Sequence, residues 1–579
     1  QVVAGPISIY GEDITVSANI SSTLSEADVL LKASGNIAVA ANKSISTNGG
    51  DVTLWSDSDA SGNASTAGGT IALLDASTIT SNAGDIVLGG GADANTDGIP
   101  DGYAIGAFTT NTRDATNATA GVSLDNSIIN SGLGNVIIRG QGTGALQNYQ
   151  MGTRLYGGSI SGKDINIAGV GSMNGSSSSS WGLSLEGFSI EGSGNIVLTG
   201  TGGQAGQSNS DYNQVGVEIR KAQDNIEDHS QVKASGTGTI LINGQGGSGP
   251  NASHSDDNSI AAGIRIDDEQ TSPINSVNGN ITLNGTSGYS GLGSGMIIGS
   301  PITSTSGDVT LKGLPSIEGT TNLNGNIEIK GSISTGGGIT LESPGEVSQT
   351  AAITGEKLGL LGTGTFTLTN TSNNVVTLAG GDNTTKLGSL SYTDTDGLTI
   401  GLVNPTGVTS SGVVEIATRS GDLLVNEPII STLATGDAIK LYADKDELSG
   451  NLGDGNIKIS DNGSITIQSG ARALLYSGRE TESTGLQSEV GGIGNIRTNL
   501  DATTDLSAHD PALGSTGKFG LFRTVASLNT DLESLDNYIS CVGSISEEQT
   551  FTVSGSSLTE DVTITAPTNW EVSTSSGSG

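Results

Sequence analysis

The chain has 579 residues, 90 of them glycine, with 34% hydrophobic and only 3% aromatic residues, and a formal net charge of −36. Such a charge excludes nucleic acid and an anionic membrane surface as natural partners. A single cysteine, Cys541, excludes an internal disulfide framework and a cysteine-based zinc cluster, and no apolar run approaches the roughly 20 residues of a membrane span. Gly, Ser, Thr and Asn fill the gaps between short Val, Ile and Leu runs, which is the composition of a many-turned all-β chain.

The chain opens on QVVAGPISIYGEDITV, already in strand rhythm and without a secretory signal, so residue 1 is not expected to begin a translated precursor; the closing GSG likewise reads as the edge of a longer chain. From residue 51 onward two short motifs alternate. One is Asn, Asp or Thr followed by alternating residues and often a Gly. It reads DVTLW at Asp51, DIVLG at Asp85, NVIIRG at Asn135, DINIAG at Asp164 and NIVLTG at Asn195. It continues as TILING at Thr239, NITLNG at Asn280, DVTLKG at Asp308 and NIEIKG at Asn326. The other is Gly followed by three alternating residues, at Gly121, Gly152, Gly182, Gly216, Gly263 and Gly295, spaced by 31, 30, 34, 47 and 32 residues. Period two within each motif is the signature of a strand with one buried face. Short strands at a near-fixed period, with no helix between them, predict a right-handed parallel β-helix whose equivalent strands stack about 4.8 Å apart.

Between the second and third of these strands, at 91–103, lies GADANTDGIPDGY, spaced like a calcium loop. Asp93, Asn95 and Asp97 would give side-chain oxygens, Ile99 a backbone carbonyl, and Asp101 a direct or water-mediated ligand. The twelfth position holds Ala104 where a bidentate Glu is usual, closer to thrombospondin-type repeats than to an EF-hand. A bound calcium would stiffen a protruding corner; the competing reading is an acidic solvated loop. The acidic stretch SDSDASGN at 56–63 lacks such spacing, and His229, His254 and His509 form no local pair.

The variable intervals locate further insertions. ALQNYQM, GSMNGSSSSSW, QAGQSNSDYNQV and SGPNASHSDDNSIAA each fall just before a Gly-initiated strand, which predicts loops along one edge of the coil. Tyr149, Trp181, Tyr212 and Tyr289 stand one to six residues before such strands. They could stack on sugar rings, or each could fold down over its own loop. Two places after the Gly come Arg154, Ser184, Glu218 and Arg265, and four places after come Tyr156, Glu186, Arg220 and Asp267. Stacked in register, Glu218 meets Arg265, and Glu186, Arg220 and Asp267 alternate in sign. That reads as outward cross-strand pairing worth a few tenths to about 1 kcal/mol per pair, rather than the clustered carboxylates of a polysaccharide-cleaving site. From 497 to 543 the rhythm is lost, which predicts a segment closing the coil's open end, with Cys541 buried at its junction.

The stretch GGDVTLWSDSDASGNASTAGGTIALLDASTITSNAGDIVLGGG resembles the β-helical stalks of very large bacterial surface proteins of the filamentous-haemagglutinin type. So does GGGITLESPGEVSQTAAITGEKLGLLGTGTFTLTNTSNNVVTLAGG, while GSITIQSGARALLYSGRETESTGLQSEVG resembles the segment that often closes such a stalk. EEQTFTVSGSSLTEDVTITAPTNWEVSTSSGSG looks like the opening of an Ig-like repeat common in giant secreted adhesins of Bacteroidota. The expected organisation is therefore a stalk over 1–496, a capping or linker segment over 497–543, and the N-terminal part of an Ig-like β-sandwich over 544–579. The resemblance implies export to the surface of a Gram-negative cell, by the type IX route, and a non-catalytic role in attachment to surface polysaccharide or abiotic surfaces. Mobile gliding adhesins, partnered by secretion and gliding machinery at the outer membrane, are one such group. The rivals are a secreted polysaccharide-acting β-helix enzyme and an inert spacer presenting a distal head.

Overall fold

The computed structural model describes all residues except 1, 61–68, 107, 110–117, 144–148, 174–178, 205–212, 223–228, 249–260, 268–272, 289–292, 317–324, 452–454, 509–512, 526, 533, 535–543, 545, 557, 559–560, 569 and 575–579. The chain is all-β and forms two compact units, residues 1–394 with 402–410, and residues 395–401 with 411–579.

In the first unit three strand segments make each turn of a parallel solenoid, and each segment pairs with its equivalent in the next turn. Ser179–Glu186, Ser189–Gly192 and Ile196–Thr201 make one turn. They stack on Val217–Arg220, Gln231–Ala234 and Ile240–Gln245 of the next. Two of the three ladders are the Asx-initiated and Gly-initiated motifs. The third escaped the sequence reading because its rungs are short and carry a single inward apolar residue, in most turns beside hydroxyl or polar neighbours. That single residue nevertheless forms an unbroken column of Ile45, Ile79, Ile129, Ile160, Ile190, Val232, Ile274, Ile302, Ile333 and Ile353, all fully buried. β-branched side chains suit such a column because their stiff χ1 fits the pleated surface.

The leading Asn or Asp of the first motif has a specific task. Each turns its side-chain oxygen onto the backbone N–H of the residue stacked on it. The Asp51 N–H donates to Asp28 at 2.8 Å, Asp85 to Asp51 at 2.7 Å, Asn135 to Asp85 at 2.7 Å and Asn195 to Asp164 at 2.7 Å. The corner N–H groups, which lie outside the strand ladders, are thereby satisfied from turn to turn. One strand is assigned differently from its sequence motif. Ile327–Ile329, in NIEIKG, pairs with Met296–Ile298 and so belongs to the Gly-initiated ladder, while Gly338–Glu342 follows Val309–Leu314 in the Asx ladder. Position in the turn decides the ladder, and Asn326 there occupies the place that Gly295 holds one turn earlier.

The second unit repeats the three-ladder coil, with Leu398–Ile400, Leu423–Val425 and Ile457–Ile459 in one ladder and Val414–Thr418, Gly436–Tyr442 and Ala471–Ser477 in another. Its last parallel rung, Gly517–Phe522, stacks on Ala471–Ser477 and so lies inside the segment expected to lack coil rhythm. On the outer face of these strands the Tyr442 and Tyr476 rings stack at 4.7 Å. Leu500, Phe519 and Leu521 join them in a buried cluster, against which Ala502, Leu506 and Leu513 pack. Within 544–579 the described strand is Val553–Ser556, antiparallel to Ser527–Thr530. Cys541 lies outside the described residues.

Candidate functional site

The described stems of the insertions lie between the Asx-initiated and the Gly-initiated strands, and glycines shape their bases. Gly140, Gly169, Gly200, Gly244, Gly285 and Gly313 stack in register near the end of the Asx-initiated strands. A Cβ on any of them would collide with a backbone carbonyl, that of Gly152, Gly182, Gly216, Gly263, Gly295 or Gly325 respectively. Outgoing and returning chain therefore cross in backbone contact. This close approach is why both motifs contain a Gly, and it lets insertions of different length leave an unaltered coil.

Beyond the crossing the described stems bond to one another. Gly171 donates to Thr201 and Gly202 to Gln245, both at 2.8 Å; Ser180 donates to Asn213 and Gly182 to Val215, both at 3.0 Å. Between the stems lies a second small core of Ala120, Met151, Trp181 and Val215. Trp181, a candidate sugar platform from its position, is only 3% exposed and packs in this core. Period and spacing could not show this burial, because it depends on stems from other turns. Tyr212 and Tyr289, and the side chain of Tyr149, lie outside the described residues, as do His254 and His509.

Beside this edge the charged residues of the Gly-initiated strands form a ladder. Ser184 is registered with Glu218, Glu186 with Arg220, and Glu218 with Arg265. Glu186 Oε2 lies 2.9 Å from Arg220 Nη2, its Oε1 lies 3.5 Å from Arg154 Nε, and the Ser184 hydroxyl donates to Oε1 at 3.2 Å. Glu218 is 3.7 Å from Arg220 Nε and 3.3 Å from Arg265 Nη1, and Arg265 Nη2 is 3.3 Å from Asp267. The Arg154 guanidinium also lies over the Tyr156 ring, and that of Arg220 near the Trp181 ring. The pairing expected from the sequence is present, but the solvent-facing character is not, since Glu186, Glu218 and Arg154 are 0, 1 and 4% exposed. Period two shows which residues leave the core, not whether anything lies over them.

The two glutamates respond oppositely. Burial opposes the ionisation of Glu186, but Arg220 and Arg154 outweigh it and hold its carboxyl below the ordinary range. At Glu218 burial outweighs Arg220 and Arg265 and holds the carboxyl above that range. A carboxyl raised in the folded state contributes stability that is complete below its unfolded pKa and declines as pH rises through the folded value. Thermal melts from pH 4.5 upward should therefore show wild type losing stability relative to Glu218→Gln, in which that titration is absent. A constant difference across the range would contradict the assignment.

The acidic loop stands on the Asx-initiated ladder after Ile86–Gly90. Its neck is held from both sides, by the Trp55 indole N–H donating to the Gly91 carbonyl at 2.8 Å and by Arg139 Nη1 donating to the Pro100 carbonyl at 2.9 Å. Asp93 accepts the N–H groups of Asp97 at 3.1 Å and Gly98 at 2.9 Å, Asp97 accepts that of Ile99 at 2.9 Å, and Asp101 accepts those of Ala94 and Asn95 at 2.9 and 3.2 Å. The donor set is oxygen throughout, as a hard divalent cation requires. Among the described residues, no group of three or more His, Cys, Asp or Glu side chains converges on a common point.

No protein-family model, no curated protein and no solved structure matches the chain.

Proposed function

We propose that the protein is a non-catalytic stalk of a cell-surface adhesin, of the filamentous-haemagglutinin type that the sequence resembles. The observation that supports it best is the loop edge. Stacked stems and glycine crossings recur at one corner of successive turns, where insertions of unrelated sequence begin and end, and an array of loops there would suit many weak contacts that add through effective concentration. The burial and charge balance of the Glu186 and Glu218 ladder favour a structural role for these groups over catalysis. In this reading the coil is right-handed, the usual hand of parallel crossovers, the segment 497–543 closes it, and 544–579 begin an Ig-like domain. The cell-surface location, the type IX route, a gliding role and the polysaccharide or abiotic partner rest on the resemblance. Replacing the insertions before Gly152, Gly182, Gly216 and Gly263 with tight turns should abolish attachment of cells bearing the protein while the circular dichroism of the purified chain stays unchanged. Attachment at wild-type level after trimming would leave the protein an inert spacer.

Within this reading calcium stiffens the loop of Asp93, Asn95, Asp97, Ile99 and Asp101. Because Trp55 donates to the loop's neck, calcium titration should give a saturable change in its fluorescence, absent in Trp55→Phe and in Asp93→Ala/Asp97→Ala. A flat titration of the wild type would remove calcium from the account.

A further inference from the structure

The first unit has a register problem that its apolar residues cannot solve. On the Gly-initiated ladder the inward pairs are Leu183 and Leu185, then Val217 and Ile219, then Ile264 and Ile266, then Met296 and Ile298. A strand stacked on the wrong turn would bury these columns almost as well. The glycine crossings recur at the same place in these turns, so they do not distinguish one from another either. The charged positions differ from turn to turn. Omitting Val217–Arg220 from the stack would set Glu186 against Asp267 and leave Arg265 facing Ser184. Omitting two turns would set Arg154 on Arg265. Like charges brought together at a buried site are penalised far more than at the surface.

We propose that the ladder of Arg154, Glu186, Glu218, Arg220, Arg265 and Asp267 specifies the order in which these turns stack. It is a registry device rather than a source of stability, and the inference does not depend on the adhesin reading. Three features carry it. The charges balance three against three, with alternating contacts of 2.9 to 3.7 Å. The central members are buried, where pairing discriminates most strongly. Solenoids are also prone to misassembly, because each turn meets only its neighbours and many turns are alike.

The test refolds the full chain from denaturant. It reads the number of populations by hydrogen exchange with mass spectrometry over 179–186, 217–220 and 264–266. Reversing one turn, Glu218→Arg/Arg220→Glu, sets like charges against Glu186 and Arg265 and should give bimodal exchange and a several-fold lower yield of native protein. Reversing all six, with Arg154→Glu, Glu186→Arg and Asp267→Arg added alongside Arg265→Glu, restores opposite neighbours and should recover one population at near wild-type yield. An apolar variant, Arg154→Met/Glu186→Leu/Glu218→Leu/Arg220→Met/Arg265→Met, should melt no lower than wild type yet refold to a mixture. A single population from the one-turn reversal or from the apolar variant would overturn the proposal. So would failure of the six-fold reversal to recover native protein.

Discussion

Glu186→Ala is expected to destabilise the first unit by about 3–5 kcal/mol, the cost of breaking a buried ion pair by removing one partner. The substitution leaves Arg154 and Arg220 on either side of the gap, with no carboxylate between them. Glu218 cannot take over, since it is already shared between Arg220 and Arg265. Urea denaturation should show the loss as a lower midpoint, and hydrogen exchange should place it in Ser179–Glu186 and its neighbours. The comparison is Lys312→Ala. Its partner Glu342 lies 2.7 Å away, but both side chains are about one-third exposed, and such pairs contribute about 0–1 kcal/mol. If the two substitutions cost the same, the glutamate is not buried as described.

Gly200→Ala is expected to cost about 3 kcal/mol, the upper part of the range for forcing extra volume into a packed site. The added methyl would meet the Gly216 carbonyl, which is backbone and cannot turn aside as a side chain would. The outgoing and returning chains would have to separate, straining the stem bonds that Gly202 and Gly216 make to neighbouring turns. Exchange protection should fall in Ile196–Thr201 and Val217–Arg220 together. Gly494→Ala is the control: nothing lies near its Cβ position, its φ is not positive, and it should be close to neutral. Equal losses at the two sites would show that the crossing is not a close contact.

Both expectations concern residues the sequence displays but does not explain. The alternation in NIVLTG and GVEI, with the Gly-initiated motif recurring every 30 to 47 residues, is enough to infer stacked parallel strands, because apolar side chains at every second place can be buried only by like strands above and below. The insertions before Gly152, Gly182, Gly216 and Gly263 announce a loop edge in the same way. The pairing of Glu218 with Arg265 follows once the two strands are laid in register. The third ladder was hidden because SIS, TIT and INS are too short to show a period, and one Ile per strand becomes a core only when successive turns place it in a column.

What the sequence by itself determined is local and repetitive: strand rhythm, turn length, the position of the loops and the sign of each stacked charge. Only the tertiary structure decided burial and close approach. It put Trp181 in a core shared by several stems, brought Gly200 against the Gly216 carbonyl, and enclosed Glu186 between two arginines. The physical reason is that rhythm records which side of its own strand a residue occupies. Exposure, dielectric and backbone clearance are set by chain from other turns, at separations of 30 residues or more for the Arg154 and Glu186 pair and the Glu218 and Arg265 pair.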